Sequence, residues 1–71
     1  MERITTKDVD RLAETISEHL EENLSIQRQG RNGYQGLDLY DGESLQRTVH
    51  CGTTREVYTY LQGWRRGQLE A

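Results

Sequence analysis

Seventy-one residues with net charge −3, one cysteine and two histidines leave room for a single domain with no internal disulfide and too few ligands for a structural zinc site. Leu, Ile, Val and Phe supply only 14 residues, so a modest core assisted by four tyrosines and one tryptophan is expected. No stretch approaches the roughly 18 apolar residues of a membrane span and the start of the chain lacks an apolar run, so the expectation is a soluble cytoplasmic domain without membrane contact, ordered over about residues 4–67.

Residues 5–23 place Val9, Leu12, Ala13, Ile16 and Leu20 at spacings of three and four, which predicts an amphipathic helix. Thr5 is the expected N-cap with Asp8 three residues on, and Ile4 can staple to Val9. Glu14, Glu18, Glu21 and Glu22 give this helix an acidic outer face, and His19 borders its apolar stripe. Residues 1–24 carry seven acids and three bases, whereas residues 25–68 carry six arginines and four acids.

Residues 24–29, LSIQRQ, alternate in the manner of a strand. Asn32-Gly33 follows, the dipeptide that most favours a two-residue type I′ hairpin. This turn pairs Arg31 with Tyr34, Arg28 with Leu37 and Ile26 with Leu39, so apolar residues of both strands share a face. A third strand, ESLQRTVHC, follows Asp41-Gly42. A three-residue bulged turn there keeps Leu24, Ile26, Leu37, Leu39, Leu45, Val49 and Cys51 together as the core face.

The last element begins at Thr53-Thr54-Arg55-Glu56, a capping box, and continues with Val57, Tyr60, Leu61 and Trp64 as its apolar stripe. Gly67 is the expected left-handed stop, which leaves Gln68–Ala71 as a tail. Gly63 inside the helix is unfavourable by about 1 kcal/mol against alanine and points to close packing. The predicted fold is therefore α+β, of order αβββα, with a three-stranded antiparallel meander and both helices on one face.

In this register the open sheet face carries Gln27, Gln29, Arg31, Tyr34, Gly36, Asp38, Tyr40, Gln46, Thr48 and His50. Aromatics, an arginine and amides on a flat sheet are what a single-stranded nucleic-acid platform requires. The lack of lysine and the presence of Asp38 weigh against it. A phosphate-binding loop at Gly30, Gly33 and Gly36 is excluded, because no lysine-serine pair and no helix follow the glycines. The element order is also that of double-stranded RNA-binding domains, but the first helix here is acidic and the second lacks a basic start, so the topology is shared and the activity is not expected. His50 and Cys51 are strand neighbours that diverge, and the carboxylates lie on an exposed helix face, so no enzyme, metal or cofactor is expected. The reading that remains is an interaction module for a protein partner or a second copy of itself, through Tyr58, Gly63 and Trp64 or a sheet edge.

Gly52-Thr53-Thr54-Arg55-Glu56-Val57 with Tyr60, Leu61 and Gly63, preceded by Gly33-Tyr34 entering a strand, resembles small uncharacterised proteins of phages, prophages and conjugative elements of bacteria. The resemblance spans about residues 30–67. It lacks the basic residue expected at Thr54, and it implies a mobile-element accessory protein without naming a ligand.

Overall fold

The computed structural model describes residues 3–31 and 34–70, with Arg31 described by its backbone alone. The elements are α1 (Thr6–Ser17), β1 (Leu24–Arg31), β2 (Tyr34–Asp41), β3 (Ser44–Gly52) and α2 (Thr54–Glu70). The strands form one antiparallel sheet in the order β1-β2-β3, and both helices cover the same face of it, as the αβββα reading expects. Val9, Ala13 and Ile16 of α1 meet Ile26 and Leu37 of the sheet and Val57 and Leu61 of α2 in a single core.

Both helix starts are set by a three-residue spacing. The Thr5 hydroxyl accepts from the Asp8 N–H at 3.4 Å and the Asp8 carboxylate accepts from the Thr5 N–H at 2.9 Å. At α2 the Thr53 hydroxyl accepts from the Glu56 N–H at 3.2 Å and the Glu56 carboxylate accepts from the Thr53 N–H at 3.0 Å. Each box satisfies two donors that a helix end otherwise leaves unpaired.

The helix ends differ from expectation. α1 stops at Ser17 rather than near residue 23. Its last turn holds no base, and the succeeding acids Glu18, Glu21 and Glu22 oppose the negative end of the helix dipole. The amides of His19 and Leu20 instead donate to the carbonyls of Ile16 and Ser17 at 3.0 and 3.1 Å, a tightening that closes the chain toward β1. His19 is exposed rather than half-buried, with Nδ1 3.0 Å from the Thr15 carbonyl. α2 continues past Gly67 to Glu70, and Gly42 is the one positive-φ glycine among the described residues. Gln68, expected in a tail, donates from Nε2 to the Ile16 carbonyl at 3.2 Å and so ties the end of α2 to α1.

The β1–β2 register pairs Arg31 with Tyr34, Arg28 with Leu37 and Ile26 with Leu39, in agreement with the alternation. The turn itself, Asn32-Gly33, lies outside the described residues. Arg28 bridges to α1, donating from Nε to Asp10 Oδ1 at 2.7 Å and from Nη2 to Oδ2 at 3.3 Å. Ser17 joins the same two elements. Its hydroxyl accepts from the Ile26 N–H at 2.8 Å and donates to the Ala13 carbonyl at 2.8 Å, with the Ile26 carbonyl a longer alternative at 3.4 Å.

The β2–β3 register overturns the bulged three-residue turn. Asp41 pairs with Ser44, so the loop is Gly42-Glu43, with Gly42 at φ 65, a conformation that suits glycine at the first loop position. Leu45 therefore pairs with Tyr40 on the open face, where it is 55% exposed. Two register shifts then leave Gln46 and Val49 without direct partners. Each shift exchanges the faces of the residues beyond it. Arg47 and His50 pair with Leu39 and Leu37 on the helix side, while Cys51 pairs with Gly36 on the open side. Cys51 is exposed, not core. Val49 alone of the expected β3 core residues still packs against the core, from a bulge.

Candidate functional site

α2 packs beside the outer strand β3, and an open groove lies between them. Its larger lobe, about 770 Å³, is lined by Arg47 of β3 and by Tyr60, Gly63, Trp64 and Gly67 of α2. A second lobe of about 420 Å³ holds His50, Arg55 and Glu56 and shares Thr59 and Tyr60 with the first. The groove exists because the helix turns its small residues toward it. A Cβ added at Gly63 or Gly67 would meet nothing within 4 Å, so Gly63 opens space where close packing had been expected.

The walls are aromatic. The His50 and Tyr60 rings stack at 4.5 Å with an interplanar angle of 4°, and Trp64 meets Tyr60 edge-on at 6.1 Å. Tyr60, expected in the core stripe, is 37% exposed, and one face of its ring is taken by His50, which pairs with Leu37 on the helix side. Aromatic pairs of these geometries contribute beyond their buried area and hold both rings in place. Trp64 is half-buried, with one side on the core and the other on the groove.

The charged groups of the groove divide by their occupation. Glu56 is held by its cap, and its carboxyl titrates below the ordinary 4.5, chiefly through the bond from the Thr53 backbone N–H, then through the Thr53 side chain, with a smaller contribution from His50. Gly52 lies under this side chain, since an added Cβ would fall 3.1 Å from Glu56 Cβ. Arg47 and Arg55 are exposed and form no ion pair with any described residue. The groove thus offers apolar walls with an exposed guanidinium at each lobe.

The sequence-derived site residues fall in three places. Gly63 and Trp64 share the groove. Tyr58 does not join them; it is half-buried on the α1 side of α2, beside Asp8, Arg11, Leu12 and Thr15. Gln27, Gln29, Tyr34 and Tyr40 do share the open sheet face, with Tyr34 at 41% exposure and Gln29 and Tyr40 half-buried. His50 leaves that face, and Arg31 is placed there by its backbone register alone. Asp38 sits in the middle of the face at 2% exposure, accepting from the Thr48 hydroxyl at 2.9 Å.

Sequence reasoning missed Tyr60, Arg47 and Arg55 as groove residues. The phase of β3, set by its two-residue loop together with the two bulges, accounts for the misplacement of His50. Among the described residues no cluster of three or more His, Cys, Asp or Glu is placed to hold a metal ion, and no helix is long and apolar enough to cross a membrane. No family model, curated protein or solved structure matches the chain.

Proposed function

We propose that this domain is a non-enzymatic interaction module that recognises a protein partner in the groove between α2 and β3. The observation that carries the reading is the placement of exposed Tyr60 and half-buried Trp64 side by side along an open, largely apolar groove. Aromatic residues in a concave patch are the usual energetic centre of protein interfaces.

Chemistry in the groove has weak support. His50 and Cys51 open on opposite faces of the sheet and cannot share a proton, and Glu56 is committed to its cap. The sheet edges are also poor docking lines, since β3 is bulged twice and Ser17 occupies the β1 edge at Ile26. The open face suits single-stranded nucleic acid less well, with Asp38 at its centre and Tyr40 half-buried. The resemblance around Gly52–Gly63 favours an accessory protein of a mobile element, working in the bacterial cytoplasm.

Amide shift mapping tests the assignment. With cell lysate fractions added to labelled protein, perturbations should gather on Arg47, Thr59, Tyr60, Gly63 and Trp64. Perturbations confined to Gln27, Tyr34 and Tyr40 would count for the open face instead.

A further inference from the structure

We infer that the groove takes an acidic segment of a partner protein, with one large apolar side chain as anchor and carboxylates on either side of it. This occupant presupposes that the groove is the binding site and adds its chemistry. The apolar requirement comes from the walls: Tyr60 and Trp64 flank a floor opened by Gly63 and Gly67, and a leucine- or phenylalanine-sized group fits such a space far better than a charged one.

The acidic requirement comes from charge. Arg47 stands at the larger lobe and Arg55 at the smaller, both exposed and without an ion pair among the described residues. The one carboxylate lining either lobe, Glu56, already accepts from the Thr53 N–H. A basic segment would meet two uncompensated guanidinium groups. An acidic segment meets two planar donors suited to carboxylates. The two lobes share Thr59 and Tyr60, so an anchor bound at Tyr60 adjoins both the lobe lined by Arg47 and the lobe lined by Arg55. A nucleic-acid strand also carries negative charge, but a phosphate on every residue would press against Glu56 and the acidic net charge of −3. A peptide with a few carboxylates meets less repulsion.

The test is selection from a library of short random peptides displayed on phage, using the full chain as bait. Selected sequences should be rich in Asp and Glu around a Leu, Phe or Trp. Their binding, measured by titration calorimetry, should weaken about tenfold or more in Arg47→Glu/Arg55→Glu and with rising salt. Arg47→Gln/Arg55→Gln, which keeps size and removes charge, should show an intermediate loss, and circular dichroism of each variant confirms the fold. Neutral or basic selected peptides that still depend on Trp64 would overturn the acidic occupant and leave the groove reading standing. Selected peptides indifferent to both Trp64→Ala and the arginine changes would overturn the groove reading as well. Tighter binding of an oligothymidylate than of any selected peptide, lost in the arginine variants, would replace the acidic peptide with a nucleic acid.

Discussion

The Ser17 hydroxyl, at the last residue of α1, takes the outward-facing N–H of Ile26 at 2.8 Å. In an antiparallel edge strand alternate residues turn both backbone groups away from the sheet, so the outer groups of Ile26, Arg28 and Gly30 lie along the free side of β1. Ser17→Ala leaves the Ile26 N–H without its acceptor, and the expected loss is about 1–3 kcal/mol, read from the midpoint of urea unfolding. Glu56 provides a second residue-scale test. Its carboxyl pKa is lowered in the fold, so its contribution is present above the unfolded value and disappears as pH falls through the folded one. Thermal midpoints should therefore drop on acidification below the ordinary 4.5, and Glu56→Gln should flatten that part of the profile. A variant with the wild-type acid slope would argue against the cap as its source. Both capping boxes were legible in the sequence because threonine and carboxylate stand three residues apart. Ser17 was not, since its partner lies nine residues away across a chain reversal.

At the scale of elements, β3 is where sequence and structure part. Alternation fixed the β1–β2 register because Ile26 and Leu39, and Arg28 and Leu37, agree on it. For β3 the same logic placed Leu45 and Cys51 inward, but the two-residue loop reverses both, and the two bulges change the face only of the stretch between them. A bulge leaves no mark in a hydrophobic pattern, since one extra residue merely shifts the phase. Substitution separates the two registers. Leu45→Thr should change stability by less than about 0.5 kcal/mol, whereas Leu37→Ala, at a position with 0% exposure, should lose about 2–5 kcal/mol. Equal losses would favour the inward Leu45. α1 offers a prediction of opposite sign. Its C-terminal end carries Glu18 and no base in the last turn, so Glu18→Lys should raise stability by about 0.3–1 kcal/mol, more in low salt than in high.

Over the whole molecule, two thin layers, 35 × 30 × 16 Å in extent, leave one sheet face and two edges uncovered. The edges are protected by different means. β3 is interrupted by its bulges, and β1 is occupied at Ile26 by a side chain from α1. Sedimentation should accordingly show more concentration-dependent association in Ser17→Ala than in the wild-type chain. Equal behaviour would mean that the edge is guarded by something other than Ser17. The Ser17–Ile26 bond also makes one amide a reporter of motion. The Ile26 hydrogen belongs to an edge strand, where solvent exchange is ordinarily fast, yet it is released only when α1 lifts from β1. Its deuterium exchange rate therefore measures how often that helix undocks, separately from the global unfolding that governs the amides between β1 and β2.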